Sequence, residues 1–460
     1  MAMTPLAPRP ARPTPVGILE RQAARESSAR TYARSFPIVP VRAQGMTVVG
    51  ADGRRYLDCL SGAGALALGH NHPGVVAAIR SMLDREAPLQ VLDVATPERD
   101  AFVGELLATL PEPLATRGRV HFCSPAGTDA VEAAWKLVQS ATGRSGLLAF
   151  TGAYHGQSAG SLAATANVAI KAPVRGVVAD VTRLPFPYRL RCPFGLGGEV
   201  GDRVAADFVQ RLLDDPSGGV VAPAAMVVEP VQGEGGVVPA PDAWLRAMRT
   251  ITADRGIAFI ADEVQTGVGR TGAMWAVGHS AVVPDVLVLS KAVGGGLPLA
   301  LIVYREELDG WAPGAHTGTF RGNQLAFAAG AVTLRVVREE GLVARAAVVG
   351  ERILAELRTL QATEPTIGDV RGRGLMIGLE IVDPDGEPDR CGARPPAPAV
   401  ARAIRRECLA RGLIVELGGR DDCVVRLLPP LTISDAEATA VLDRLASSIA
   451  AASPARRAAS

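Results

Sequence analysis

The chain reads as an α/β protein built on a mostly parallel sheet, followed by a smaller α+β domain. Three observations lead there. The short apolar runs Ala225–Val228, Ile257–Ala261 and Val286–Leu289 have the length and composition of buried strands. They are separated by about one βαβ unit each. Every run ends on a residue with chemistry to offer: Glu229, Asp262 and Lys291. In open α/β sheets the carboxyl ends of the strands form the rim where ligands bind. Any one of these residues is equally an ordinary solvated strand end, but three in phase describe a site.

Lys291 is the centre of that rim. Residues 284–300 read P-D-V-L-V-L-S-K-A-V-G-G-G-L-P-L-A. A lysine at the end of a buried strand is partly desolvated, which lowers its pKa and favours the neutral amine that condenses with a carbonyl. The glycines at 294–296 let the backbone turn sharply and approach a ligand.

With 460 residues, the chain can bury a large core in two or three domains. Its 48% apolar and 21% charged residues and net charge of +1 carry no electrostatic footprint for nucleic acid or an anionic membrane. Cysteines 59, 123, 192, 391, 408 and 423 form no C-x-x-C pair, so a reduced cytoplasm is expected rather than a disulfide framework. No secretory h-region opens the chain, and no apolar run has the length of a membrane span. A soluble cytoplasmic enzyme is the expectation.

Taken in order, residues 1–45 form an N-terminal arm. Its Pro-rich start, to about residue 16, is expected to be disordered, and 17–35 to be helical. Residues 46–95 are the N-terminal part of the small domain and a dimer-contact loop. Val48–Leu57, turning at Ala51-Asp52-Gly53, reads as a hairpin. S-G-A-G-A-L-A-L-G-H-N-H-P-G (61–74) is too Gly-rich for a regular element. His70 and His72 have no third ligand beside them there, so no metal site is expected. Helices at Val75–Arg85 and Glu98–Leu110 follow.

The large domain spans 96–330. R-V-H-F-C-S (119–124) is a strand, and the next helix places Val131, Trp135 and Val138 at i, i+4, i+7. Its start carries Ser124, Gly127, Thr128 and Asp129, with Glu132 completing a capping-box spacing. Strand, turn and helix start make an anion pocket, or equally an ordinary cap. After the strand Leu147–Phe150 comes T-G-A-Y-H-G, where Tyr154 and His155 either stack on a planar ring, or pack and lie in solvent. Residues 172–201 are loop-rich. Asp242–Asp254 is a helix with Trp244 and Met248 on its apolar side. H-T-G-T-F-R-G-N-Q (316–324) is a polar glycine loop before a helix running from about Leu325 to Arg338 or beyond. The small domain, 331–452, holds strands at Met376–Ile381, Ile414–Glu416 and Val424–Leu427, and helices near Pro398–Arg411 and Ser434–Ala451. Residues 453–460 are a flexible tail.

An imine-forming lysine, a neighbouring aspartate, a phosphate-type helix start and a stacking aromatic together describe a pyridoxal phosphate site, with Asp262 keeping the pyridine nitrogen protonated. The motifs G-T-D-A-V-E-A-A, Y-H-G, V-E-P-V-Q-G-E-G-G, A-D-E-V-Q-T-G-V-G-R-T-G, L-S-K-A-V-G-G-G-L-P and T-G-T-F-R-G-N-Q stand in an order and spacing that resemble the class III pyridoxal phosphate aminotransferases of fold type I. The resemblance runs from about residue 30 to 450. It implies that Lys291 carries the coenzyme and moves the proton, and that Asp262 pairs with the pyridine nitrogen. Val264 and Tyr154 would pack on the two ring faces, with His155 beside them, and Gln265 would bond the ring hydroxyl. Gly127 and Thr128 would hold the phosphate, and Thr319 would reach it from a neighbouring subunit. The resemblance thus implies a homodimer with a shared site, a tetramer also being compatible.

Arg426, in V-V-R-L-L-P-P, matches the family arginine that binds the α-carboxylate of glutamate or 2-oxoglutarate. Glu234, or alternatively Glu229, would neutralise it while a terminal-amine donor is in place. The 61–74 loop and Arg321-Gly322-Asn323 are most similar to the diaminobutyrate–2-oxoglutarate branch. That branch exchanges the terminal amino group between L-2,4-diaminobutyrate and 2-oxoglutarate, giving L-aspartate 4-semialdehyde and L-glutamate, or runs in reverse. Ornithine, acetylornithine, 4-aminobutyrate or lysine as donor, and a racemase on the same scaffold, stay open.

Overall fold

The computed structural model describes residues 14–174 and 180–453. The disorder expected before residue 14 and most of the expected flexible tail lie outside the described residues. Helix Pro15–Arg25 begins inside the stretch expected to be disordered: Thr14 caps it through Gly17 N–H and Pro15 occupies the first turn.

The central sheet has seven strands in the order Gly118–Phe122, Leu301–Arg305, Val286–Leu289, Ala258–Asp262, Ala225–Val228, Leu147–Phe150, Val181–Leu184. The last five run parallel to one another, and Leu301–Arg305 is antiparallel to both of its neighbours. The expected mostly parallel sheet is therefore present. Its three acid- and lysine-tipped strands are adjacent and buried throughout, as continuous apolar runs require when both faces are covered. One cover is helix Gly127–Thr142, whose Val131, Trp135 and Val138 face inward. The other includes helix Asp242–Asp254, with Trp244 and Met248 buried. Between Leu147–Phe150 and Ala225–Val228 the connections diverge, outward to Val181–Leu184 on one side and inward to Ala258–Asp262 on the other. A crevice opens at such a switch point.

Three smaller sheets are described besides it, one of them the two-stranded hairpin Val231–Gln232 and Val238–Pro239, whose loop carries Glu234. Pro40–Gln44, Thr47–Gly50 and Arg55–Asp58 form a meander closed by Leu413–Ile414, which pairs parallel to Arg55–Asp58. Ile367–Arg373, Met376–Ile381, Val424–Leu427 and Glu416–Gly418 form an antiparallel sheet. The single strand expected at Ile414–Glu416 is thus two strands in different sheets, switching at Val415. Three further elements differ from expectation. A strand, Val181–Leu184, lies inside the stretch read as loop. Helix Leu342–Gln361 is separate from Gln324–Glu339, parted by Gly341 at φ 64°. Ile367–Arg373 is a strand that the sequence pattern does not announce. Arg270, buried, donates to the carbonyls of Leu375 and Pro429 and so ties the segment after Ala258–Asp262 to the antiparallel sheet.

Candidate active site

The ends of adjacent strands deliver Glu229, Asp262 and Lys291 to one cavity of about 330 Å³, joined there by Gly127, Thr128, Tyr154, His155, Glu234, Val264 and Gln265. Lys291 leaves its strand with φ 51°, a left-handed backbone that costs a residue with a Cβ of order 1 kcal/mol or more. Burial lowers its ammonium below the ordinary lysine range, against the pull of Glu234. Asp262 and Glu229 add to that pull, and Arg426 opposes it.

Asp262 closes its strand and accepts two hydrogen bonds with different tasks. Val264 N–H bonds Oδ1 at 3.1 Å, and His155 Nδ1 lies 2.7 Å from Oδ2. His155 is buried, which excludes its reading as a solvated residue. Burial works to lower its pKa, but the hydrogen bond and charge of Asp262 outweigh that, and the imidazole is held above its ordinary value. Glu229 does not approach Arg426. It turns inward, accepts from Tyr154 N–H at 2.9 Å and Gly233 N–H at 2.9 Å, and is pushed up to about 7 by burial.

The capping box expected at the helix start does not form. Asp129 accepts instead from Ser124 N–H at 2.7 Å, and Glu132 accepts from the Gly160 and Ser161 N–H groups of a neighbouring turn. Ala126, at the cap position, offers no side-chain bond, so the first N–H groups of a 16-residue helix are left for a ligand. The chain packs closely around them. A Cβ on Gly127 would stand 3.1 Å from Val264, and one on Gly156 would meet Thr128 at 2.3 Å. Thr128 Oγ1 lies 2.5 Å from Ser158 Oγ, a residue the motif reading did not single out.

The roof is a pair, with Glu234 lining the cavity and Arg426 behind it, fully buried on Val424–Leu427. Glu234 pairs with it in bidentate fashion, at 2.8 Å and 3.1 Å, and Gln265 Nε2 lies 3.4 Å from the same Glu234 carboxylate. Burial opposes the charge on Glu234, but Arg426 and Lys291 overcome it and hold the carboxyl below its usual range. A second acid, Glu416, stands 2.5 Å from Arg426 and was missed by the sequence reading. The signal for it is cross-strand pairing, since Glu416 and Arg426 are register partners. Thr319 is exposed and lies apart from this cavity, on a loop whose Phe320 is 64% exposed.

These residues fit a planar, phosphorylated aldehyde. The cavity offers an amine that burial keeps below its usual range and an imidazole-braced carboxylate. It also offers uncapped helix N–H groups, and a Gln265 Oε1 that is buried with no donor. Near this end, Cys123, Asp129 and His316 bring possible metal-ligating atoms together, but Asp129 is already engaged by Ser124 and by His316 at 3.1 Å.

The model of the family described as aminotransferase class-III matches residues 28–449. A diaminobutyrate–2-oxoglutarate aminotransferase of Rhizobium meliloti is 53% identical over 94% of this chain and 92% of its own length. One of Haemophilus influenzae is 44% identical, covering 94% of each chain. Among solved structures, an amine transaminase from an uncultivated Pseudomonas species, in its pyridoxal-phosphate-bound form, superposes with a TM-score of 0.82 at 29% identity. That match covers 93% of this chain and 98% of the other. An (S)-enantioselective omega-transaminase from Thermomicrobium roseum gives 0.84 at 28%, covering 95% and 98%.

Proposed function

The chain belongs to the class-III aminotransferases and is a pyridoxal-phosphate-dependent transaminase, and from that premise we propose that it exchanges the terminal amino group between L-2,4-diaminobutyrate and 2-oxoglutarate. The products are L-aspartate 4-semialdehyde and L-glutamate, or the same reaction runs in reverse. The observation that carries this reading is the closed Glu234–Arg426 pair above Lys291. A donor reacting at its terminal amine has no carboxylate beside the reacting carbon, so without Glu234 the buried Arg426 would face it with one of its two carboxylate partners missing. An acceptor such as 2-oxoglutarate does carry that carboxylate, and it takes the place Glu234 vacates. Glu234 is the partner suited to leave, because its side chain is 35% exposed while Arg426 is at 0%.

Bound pyridoxal phosphate supplies a carbonyl for the amine and a ring that accepts electrons. The chain's own residues do the rest. Lys291 holds the coenzyme and carries the proton to and from the substrate carbon. Asp262, braced by His155, keeps a proton on the ring nitrogen. Gly127, Thr128 and the helix start hold the phosphate, Val264 and Tyr154 enclose the ring, and Gln265 meets its hydroxyl. Thr319 serves the site of a second copy in a homodimer. The exposed Leu89, Leu92, Val94 and Phe320 support such an interface. No described helix is long and apolar enough to cross a membrane, which supports a cytoplasmic setting.

The test is an amine-donor panel with 2-oxoglutarate as acceptor, scoring glutamate from diaminobutyrate, ornithine, 4-aminobutyrate and lysine. Diaminobutyrate should be the best donor. A strong preference for another would overturn the substrate assignment and leave the transaminase chemistry in place.

A further inference from the structure

Arg426 carries more negative charge around it than neutralisation requires. Glu234 occupies both ends of its guanidinium fork, and Glu416 adds a second carboxylate at 2.5 Å. Glu416 is fixed where Glu234 is not. It lies on strand Glu416–Gly418, directly opposite Arg426 in the antiparallel register, and is only 8% exposed. Its Oε2 is buried and close to Arg426 without accepting a properly directed hydrogen bond. Burial raises its pKa against the pull of Arg426, so holding its charge is costly unless a further cation completes it.

The groups facing Glu416 do not cancel the surplus. Arg426 and Glu234 are its nearest charges, the Tyr32 phenol stands against it from the N-terminal arm, and Lys291 acts on it across the cavity. Arg405, from helix Pro398–Ala410, is a weaker influence from behind. Two carboxylates against one guanidinium leave a negative charge over, next to Glu234, which lines the cavity, and within electrostatic reach of Lys291.

The donors divide by charge. Diamino acids carry two ammonium groups and one carboxylate, whereas 4-aminobutyrate carries one of each. Resting on the donor class proposed above, we propose that Glu416 is a specificity-determining residue whose carboxylate is the counter-charge for the second ammonium of a diamino donor. The same charge works against 2-oxoglutarate, which brings two carboxylates. Glu416 therefore favours one half-reaction at the expense of the other, and removing it moves the two in opposite directions.

The experiment compares wild type, Glu416→Gln and Glu416→Asp, each loaded with coenzyme. It measures kcat/KM for diaminobutyrate, ornithine and 4-aminobutyrate, and KM for 2-oxoglutarate. In Glu416→Gln the preference for diamino donors over 4-aminobutyrate should fall about tenfold or more, while KM for 2-oxoglutarate falls. Glu416→Asp should retain the preference. Equal losses on all donors, as from a merely structural role, or an unchanged ratio, would overturn the proposal. Wild type tests the donor reading separately: a preference for ornithine removes diaminobutyrate as donor but leaves the Glu416 inference standing. A wild-type preference for 4-aminobutyrate removes both.

Discussion

The floor and the roof of the site are both charge pairs, yet they are built on opposite plans. In the floor, Asp262 and His155 have side chains 5% and 0% exposed, one ending a strand of the large sheet and the other on the turn that follows Leu147–Phe150. In the roof, Arg426 is at 0% but its partner Glu234 is 35% exposed and comes from a distant hairpin loop. A pair buried on both sides cannot open without stranding a charge, which suits a group that must hold one proton through the whole cycle. A pair buried on one side has already met the desolvation cost of its fixed member and lets the other move. The contrast separates a permanent device from an exchangeable one.

The strongest way to break this contrast is at the lysine between them. Lys291→Ala should lower turnover by about 10³-fold or more with little loss of thermal stability, since burial disfavours the ammonium that is removed. Steady-state kinetics beside a melting curve would check it. Asp262→Asn should cost about 10²–10³-fold in kcat, because a neutral amide neither holds the ring proton nor raises His155. A roof variant should behave differently. Glu234→Ala should raise the relative rate of donors with a carboxylate beside the reacting carbon by about tenfold, while kcat on the terminal-amine donor drops less than in the floor variants. An unchanged donor preference would remove Glu234 from its exchanging role.

The smallest expected effect concerns stability alone. Burial pushes Glu229 and Glu263 up to about 7, so the folded state holds protons there that the unfolded chain has released. This contribution is fully present below the ordinary carboxyl value near 4.5 and is lost as pH rises through about 7. Each group contributes at most about 1.4 kcal/mol per pH unit across that window. Urea midpoints at pH 5 and pH 8 should differ accordingly, and Glu263→Gln should flatten the difference. Glu263 is the better probe, since it bonds Val277 N–H and Thr266 away from the cavity.

The floor was legible in the sequence because its residues terminate buried strands, where an apolar run stops on a charged residue. Asp262 and Lys291 are marked that way, and neighbouring strands bring them together without further information. The bond from His155 to Asp262 was not legible, because a histidine on a glycine turn carries no sign of which way it points. The roof was harder still. Glu416 and Arg426 meet only through strand register, and the strand break at Val415 that sets this register has no local marker. Strand Ile367–Arg373 was hidden because one of its arginines is interior: Arg371 is buried against Glu380 and the Gly236 carbonyl, so a charged pattern there marks a seam rather than a surface. The capping-box spacing at Asp129 and Glu132 misled because both side chains find better donors in adjacent loops.

The central claim is that the coenzyme is held at the end of strand Val286–Leu289. The chain has three lysines, at 136, 171 and 291, which makes the test clean. Protein incubated with pyridoxal phosphate, reduced with borohydride and digested should carry the coenzyme on the peptide containing Lys291, as read by mass spectrometry. Coenzyme on the Lys136 or Lys171 peptide instead, or on none, would contradict it.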